Sequence, residues 1–338
     1  MLFNRNNKKK AEMIDNLADR IASSFSPTQD RPEGTDWIPE HATEPVRIEE
    51  EAEALVAPSE TIKDQLISMF KNNKVALVSA IIIVLFAVCT LCAPLIAPCD
   101  PYVQDLGNRL ASPSMEHWLG TDNYGRDILS RMMYGGRVSL LVGIIPTCIY
   151  MTIGTILGMI AGYYGGKVDS IIMRTADVFM AFPSMLLAIL ISYTLGAGML
   201  TIFCALSFVA WGGTARVVRS EVLSLKEKEY VEAATSIGVK KWVIMLKHIL
   251  PNCVPTLIVL FTMNVPDNIL TESGLSFLGI GAQPPSTSWG LLVFQMKKYL
   301  SKSPIATLAP GIAILILVVA FNFLGDALRD KLDPQLKD

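Results

Sequence analysis

This 338-residue chain has little charge and almost no histidine. Charged side chains make up 18% of the residues, the formal net charge is −2, and the only histidines are His41, His117 and His248. A net charge so close to zero gives no reason to expect nucleic-acid binding. The histidines are too dispersed for a metal-site motif, so the sequence predicts no metal site, and it shows no convergent set of catalytic residues.

A Walker-type nucleotide-binding loop is also absent from the sequence. That loop needs a glycine five positions before a Gly-Lys pair that is followed by serine or threonine, so that backbone amides surround the phosphates and the hydroxyl binds magnesium. Gly166-Lys167 is followed by Val168, and Ala161 stands at the position of the first glycine. We therefore expect no cofactor on this chain, and any ATP and Mg²⁺ to be bound by separate subunits.

Apolar residues are abundant, at 51% of the chain, and the mean hydropathy is +0.41. Five uncharged runs cover residues 75–99, 138–166, 178–215, 249–266 and 303–325. A bilayer core takes about 20 helical residues, so four runs are single spans, and the third holds two spans joined by a turn at 195–198. The predicted spans are residues 75–98, 138–164, 175–195, 199–217, 249–275 and 305–326. The sequence thus predicts an all-α integral membrane protein with six transmembrane helices.

The distribution of lysine and arginine predicts how the chain is oriented in the membrane, and the N-terminal residues predict how it is inserted. Seven lysines and arginines lie between 216 and 247, and Lys63, Lys71 and Lys74 lie just before the first span, which favours a multi-pass protein of the cell membrane with both termini cytosolic. We see no cleavable signal peptide, so the first span would direct insertion. Residues 1–60 are acidic and contain several prolines, which predicts a flexible, disordered cytosolic tail. Residues 61–74 form an amphipathic lead-in to a transmembrane domain over 75–338.

The closely spaced cysteines of this chain do not indicate a redox or metal site. Cys89 and Cys92 have the spacing of a redox or metal pair, but both lie within the first apolar run, and no histidine or second cysteine pair is nearby. All six cysteines lie in or beside predicted spans. They are therefore interpreted as small packing residues.

A polar segment, residues 229–252, separates two apolar regions. Tyr230, Ala233, Ala234 and Ile237 recur at helical spacing, and Gly238 follows where a helix would end. The paired alanines predict a shallow face that a partner protein can approach, and Glu232 offers a carboxylate for a cation on that partner. The alternative is a cytosolic loop helix that touches only lipid headgroups.

Seven residues of this segment resemble the EAA loop of ABC-importer permeases, the part that binds the ATPase subunits: Glu232, Ala233, Ala234, Gly238, His248, Leu250 and Pro251. The sequence His-Ile-Leu-Pro-Asn at 248–252 is similar to the version found in the peptide and nickel branch. Residues 93–98, 117–131, 162–166, 275–279 and 322–334 also resemble the C-type permease of dipeptide, oligopeptide and nickel importers. The resemblance covers almost everything after residue 75.

The resemblance implies the type I importer permease fold and a set of partners. It implies a second, homologous permease in a heterodimer, two ABC ATPases that bind a coupling loop at 217–248, and an extracellular solute-binding protein. The implied function is uptake of di- or oligopeptides, with nickel or another small solute as the alternative. A secondary transporter and a membrane-embedded enzyme are less favoured, because we see neither repeated halves nor convergent catalytic groups.

Further residues are candidates for packing, gating or binding. Gly154, Gly158 and Gly162 would let another helix approach closely, either within the subunit or across a permease dimer. Pro183 and Pro251 should bend or begin the helices that contain them.

Charged residues near the outer ends of spans are the last candidates. Asp122, Arg126, Asp127 and Arg131 precede the second span; they form either a helix-stabilising pair of Asp127 with Arg131 or a contact for the binding protein. Asp267 and Glu272 lie on different faces of the fifth span. Glu272 would either line the solute path or belong to a buried network that closes the outer gate.

Overall fold

The computed structural model describes residues 62–332, and every regular element in this part of the chain is a helix. The predicted flexible tail over residues 1–60 lies outside the described residues. The first six helices are α1 (Ile62–Asn72), α2 (Lys74–Leu91), α3 (Ala93–Ile96), α4 (Ile128–Tyr164), α5 (Gly166–Met180) and α6 (Ser184–Leu195). They are followed by α7 (Met199–Lys226), α8 (Glu229–Ser236), α9 (Lys241–Ile244), α10 (Leu250–Phe277), α11 (Trp289–Met296) and α12 (Pro304–Leu332).

Long apolar helices account for the predicted spans. Helices α2, α4, α7 and α12 are each long and apolar enough to cross a membrane, and so is the continuous stretch Lys241–Phe277. That stretch contains α9, a π-helical turn at Met245–Ile249, and α10. Helices α5 and α6 provide a sixth crossing if they are counted as one span. The described residues thus hold five or six spans, in agreement with the all-helical prediction.

The third predicted span, residues 175–195, is not a single straight helix. Helices α5 and α6 meet at an angle of 82° across the break at Ala181–Pro183. Pro183 has no backbone N–H and lies at the N-cap of α6, where that missing donor leaves no helical hydrogen bond unmade. The expectation that the helix would bend at this proline is confirmed, and the bent pair is either one broken span or a re-entrant loop.

The second span is longer than predicted because its charged first turns have internal partners. Helix α4 begins at Ile128, ten residues before the predicted boundary of 138, and it includes Arg131 and Arg137. The Arg137 guanidinium donates hydrogen bonds to the carbonyl oxygens of Thr90 (2.7 Å) and Leu91 (2.6 Å). These carbonyls belong to the last turn of α2, which lacks helical donors for them.

The three glycines of α4 pack against α7 inside the subunit. A Cβ on Gly158 would lie 2.5 Å from the Ala215 carbonyl oxygen, and a Cβ on Gly154 would lie 2.7 Å from that of Trp211. Gly162 approaches Val222 in the same way. The contact between α4 and α7 is the most extensive between any two helices of residues 62–332. Of the two packing alternatives, the structure shows the one within the subunit.

The remaining core joins α4, α10 and α12 around one tryptophan. Trp289, the first residue of α11, is almost fully buried, and its Nε1 donates a hydrogen bond to the carbonyl oxygen of Met132 at 2.8 Å. Near the other end of α12, Met69 and Phe70 of α1 pack against Leu328. The predicted amphipathic lead-in is therefore a helix docked on the last span.

Candidate coupling and translocation site

Helix α8 is a short helix held between two spans, as the polar segment predicts. It begins after Lys228 and ends at Ser236. Gly238 follows with φ of +80°, a left-handed conformation that glycine adopts without steric cost. The amide of Val239 donates to the carbonyl oxygen of Ala234 at 3.1 Å, which closes the helix end. The expectation that Gly238 ends this helix is confirmed.

The inner side of α8 packs on the ends of three spans. Val231 and Ala234 are buried in one cluster with Tyr163 of α4, Val222 of α7 and Ile249 of the π-helical turn. Burial of these apolar side chains stabilises the position of α8 on the subunit. A displacement of α8 must therefore move or deform the ends of α4, α7 and α10.

Every residue of α8 except Val231 and Ala234 is exposed, and we call the exposed residues Tyr230, Glu232 and Ala233, together with Ile237 directly after the helix, the docking face. Ile237 is 80% exposed and Tyr230 is 44% exposed. Partial burial raises the pKa of the Tyr230 hydroxyl, so this group is a neutral hydrogen-bond donor at physiological pH. The prediction that Ala233 and Ala234 share the partner-facing surface is wrong. Successive helical residues point about 100° apart, and Ala234 faces inward.

The end of the EAA-like segment connects α8 to the fifth span. Ile249 is fully buried, His248 is half-buried, and the His248 carbonyl oxygen accepts a hydrogen bond from Asn252 Nδ2 at 2.6 Å. Leu250 and Pro251 directly follow the π-helical turn, and the Leu250 amide donates a hydrogen bond to the Met245 carbonyl oxygen. Because the helical stretch already starts at Lys241, the expectation that a helix begins at Pro251 is wrong.

Glu272 of α10 is completely buried and belongs to a polar network. Its Oε1 accepts hydrogen bonds from Ser276 Oγ (2.6 Å) and Ser288 Oγ (2.8 Å). Ser288 Oγ also accepts from the Leu291 amide at the start of α11, and Ser276 Oγ accepts from the Ala282 amide. Of the two interpretations of Glu272, the structure shows the buried network; in this conformation the carboxyl group does not reach a surface.

Asp267 lies five residues earlier on α10 and is exposed, on a different face from Glu272. Its neighbour Asn268 is buried and donates a hydrogen bond from Nδ2 to Thr147 Oγ1 of α4 at 2.8 Å. The fifth span therefore carries an anchored polar contact on one side and an exposed carboxylate on the other.

Three of the four charged residues suggested for binding-protein contact are buried. Asp122, Asp127 and Arg131 are each at most 2% exposed. Asp122 forms ion pairs with Arg126, at 2.7 Å, and with Arg131, which also donates to Gln295 Oε1 of α11 at 3.2 Å. The predicted pair of Asp127 with Arg131 does not form, because Asp127 caps α4 by accepting from the Ser130 amide. Buried groups cannot touch a partner in this conformation, so these residues hold the loop together.

Two groups of neighbouring side chains could not be predicted from the sequence, because their members are distant in sequence. A groove of about 470 Å³ between α5 and α7 is lined by two ion pairs, Asp169 with Arg219 and Asp177 with Arg216. In the loop after the first span, the metal-binding atoms of Cys99, His117 and Asp127 lie within 4.8 Å of one another. No sequence motif indicates either group, because their members come together only when the chain folds.

Comparison with known proteins gives consistent similarities. Residues 154–338 match the family model described as binding-protein-dependent transport system inner membrane component, and residues 65–113 match the N-terminal TM domain of oligopeptide transport permease C. The oligopeptide transport system permease protein OppC of Bacillus subtilis is 38% identical over 89% of this chain and 99% of its own length. The dipeptide transport system permease protein DppC of Alkalihalophilus pseudofirmus is 42% identical over 79% of this chain and 88% of its own.

One further relative and one solved structure complete the comparison. The glutathione transport system permease protein GsiD of Pectobacterium atrosepticum is 42% identical over 79% of this chain and 89% of its own length. The inward-facing MetNI methionine ABC transporter has a chain that matches with a TM-score of 0.50 at 18% identity, over 60% of this chain and 96% of that one. At that identity the structural match concerns the fold alone.

Proposed function

Because the chain belongs to the family of inner membrane components of binding-protein-dependent transport systems, we propose that it imports short peptides as one of two permease subunits of an ABC importer. Membership of this family makes it a membrane-embedded permease that works with ATPase subunits, another permease subunit and a solute-binding protein. The proposal adds the peptide substrate, a heterodimer of permeases, and two ATPases that carry the ATP and Mg²⁺. It also places the docking face on the cytosolic side of the cell's inner membrane.

The observation that carries the proposal is the position of α8. Its docking face is exposed while its inner side is fixed to three spans through Val231 and Ala234. Glu232 supplies a carboxylate, and Tyr230 and Ile237 supply exposed apolar area for a partner surface. An exposed apolar patch with a charged neighbour is typical of a protein contact. We assign this contact to the ATPase.

Coupling follows from the way α8 is packed. When ATP draws the ATPases together, each pushes on the docking face of one permease. The push reaches α7 through Val222, α4 through Tyr163, and α10 through Ile249. Lys226 at the end of α7 also donates a hydrogen bond to the Tyr163 carbonyl oxygen at 3.2 Å, so the ends of α4 and α7 move together. The spans then exchange inward-facing and outward-facing arrangements.

The peptide assignment rests on the relatives, whose names specify dipeptide, oligopeptide and glutathione transport. Within this chain, the exposed carboxylate of Asp267 on α10 is our candidate for the path surface, where it would attract the ammonium group of a peptide. Glu272 stays in the buried network and holds α11 in place rather than touching the peptide.

Detergent co-purification tests the coupling assignment. We expect the wild-type chain to retain two ATPases and a second permease, and Glu232→Arg to lose the ATPases while it keeps the second permease. Asp64→Arg on α1, which reverses an exposed carboxylate outside the docking face, is the matched control and should behave as wild type. Bound proteins are identified by mass spectrometry.

Two outcomes would contradict the assignment. Retention of the ATPases by Glu232→Arg at the wild-type level would show that this carboxylate is not part of the contact. Failure of the wild type to retain any ATPase would remove the support for coupling through α8.

A further inference from the structure

We propose that Cys99, His117 and Asp127 form a binding site for a divalent transition-metal cation of the zinc type in the loop between the first two spans. The three side chains offer a thiol sulfur, an imidazole nitrogen and a carboxylate oxygen, all within 4.8 Å of one another. This mixture of donors is the one that Zn²⁺ takes in proteins, with bond lengths of about 2.0–2.3 Å. The site is independent of α8 and of the peptide path.

The geometry of His117 and Asp127 is already close to that of two ligands on one ion. His117 Nδ1 lies 3.0 Å from Asp127 Oδ1. Two ligands on a tetrahedral zinc ion are roughly 3.3 Å apart at bond lengths near 2 Å. In the metal-free chain a proton occupies this contact. A metal ion would replace that proton with little movement of either side chain, and the thiol of Cys99 would turn toward it.

The second oxygen of Asp127 is engaged, which fixes the carboxylate. Asp127 Oδ2 accepts a hydrogen bond from the Ser130 amide at 2.7 Å, as the N-cap of α4. Hydrogen bonds of this kind orient a metal-binding carboxylate and leave its other oxygen for the ion. The Asp127 side chain is fully buried, whereas that of His117 is 18% exposed, so the site has a rigid inner ligand and access from solvent.

The backbone near Cys99 is tied to the same turn of α4. The Cys99 amide donates a hydrogen bond to Ser130 Oγ at 3.1 Å. This bond brings the residue that follows the first span to the N-terminus of the second. The backbone at Cys99 and the side chains of His117 and Asp127 are thus held by the local fold before any ion binds, which reduces the conformational entropy that metal binding must overcome.

The electrostatic environment also favours a cation. A divalent ion at the site would be neutralised by the thiolate and the Asp127 carboxylate. The fourth coordination position would be left to water. By the parity of the spans, the site lies on the membrane face opposite α8, where the ion would fasten the loop to α4.

Cobalt binding tests the proposal with a spectroscopic signal specific to sulfur. The full-length chain, purified with its partner subunits in detergent and treated with a chelator, is titrated with Co²⁺ alone. We expect a thiolate-to-cobalt charge-transfer band that Zn²⁺ abolishes by competition. Cys99→Ser should lose the band completely, and Cys148→Ser, which removes an exposed cysteine outside the cluster, should keep it. His117→Gln, which retains a hydrogen-bond donor for Asp127, should bind Co²⁺ at least tenfold more weakly.

A second measurement on the unmutated chain guards against misfolded variants. Alkylation of each cysteine is followed by peptide-resolved mass spectrometry with and without Zn²⁺. We expect Zn²⁺ to slow alkylation of Cys99 at least tenfold and to leave Cys148 unchanged. Absence of the charge-transfer band in the wild type, its persistence in Cys99→Ser, or equal alkylation of Cys99 with and without Zn²⁺ would each overturn the proposal.

Discussion

At the scale of single residues, the buried environment of Glu272 restricts which side chains can replace it. Its side chain is completely buried, and one oxygen accepts hydrogen bonds from two serine hydroxyls on different segments. The other oxygen has no hydrogen-bond partner among residues 62–332. Removing one member of a buried network leaves its partners unsatisfied, and each unsatisfied group costs about 1–3 kcal/mol. Glu272 therefore links α10 to the cap of α11.

We predict different effects on stability for two substitutions of Glu272. In Glu272→Gln, the amide oxygen still accepts from Ser276 and Ser288, so we expect both the amount of assembled complex and the peptide uptake to stay near the wild-type level. In Glu272→Ala both hydroxyls lose their acceptor, and we expect the free energy of unfolding to fall by about 1–3 kcal/mol. Thermal unfolding of the detergent-purified complex, quantitative pull-down and an uptake assay measure these effects.

Equal loss of assembly in the two variants would contradict the hydrogen-bond explanation. It would indicate that the negative charge, or the packing of the side chain, is what the fold requires at this position. Reduced uptake by a fully assembled Glu272→Gln variant would show that the carboxyl group acts in transport beyond its hydrogen bonds.

At the scale of elements, α4 and α7 approach closely because glycine occupies the contact at three successive turns. The Cβ that alanine would add at Gly158 meets backbone and side-chain atoms of α7 at 2.5–2.9 Å, closer than real Cβ contacts allow. In a membrane, association of helices depends on such van der Waals packing, since lipid is as apolar as the side chains. The row of glycines thus determines the separation of these two spans.

Glycine-to-alanine substitutions should change the stability of the protein in opposite directions at different positions. Alanine is favoured over glycine in a helix by up to about 1 kcal/mol. At Gly311 of α12, where a Cβ would meet nothing within 4 Å, we expect a neutral or slightly stabilising effect. At Gly158 we expect destabilisation of about 1–3 kcal/mol, because the added methyl group overpacks the contact. Thermal unfolding of the two variants in the same detergent compares them, and equal melting temperatures would disprove the close-approach argument.

At the scale of the whole molecule, the described chain has large exposed apolar surfaces that it does not cover itself. Val84 and Leu85 of α2, and Leu186 and Leu190 of α6, are each more than half exposed. Lipid and a second permease are the partners that such surfaces fit. Within residues 62–332 the bent pair α5 and α6 contributes few buried side chains. A single copy of this chain is therefore an incomplete translocation path.

Transport by the complete importer should depend on ATP and on the solute-binding protein. In proteoliposomes that contain both permeases and both ATPases, we expect uptake of a labelled dipeptide only when ATP and the binding protein are present. A protonophore should leave the rate unchanged, since no ion gradient drives the step. Uptake that follows a proton gradient without ATP would favour a secondary transporter. Uptake of Ni²⁺ in place of the dipeptide would indicate that the substrate is a metal ion, as in the nickel branch.

Local patterns in the sequence are enough to predict much of the fold and part of the site. Long uncharged runs predict helical spans because backbone groups in lipid must pair within the segment. Gly238 marks a helix end because glycine adopts the left-handed conformation at this position without steric cost. The EAA-like residues of α8 and the match of residues 154–338 to the transport family then connect the helices to a function.

What the sequence by itself determined, then, is the helical class, the approximate places of the apolar spans, and the position of the short helix α8. Only the tertiary structure decided which faces are buried: Ala234 inward beside an exposed Ala233, Glu272 in a serine network, and Arg131 paired with Asp122 rather than Asp127. It also brought Cys99 to His117 and Asp127. The physical reason is that periodicity is a property of neighbouring residues, whereas charge pairing and burial depend on segments that meet only after the chain has folded.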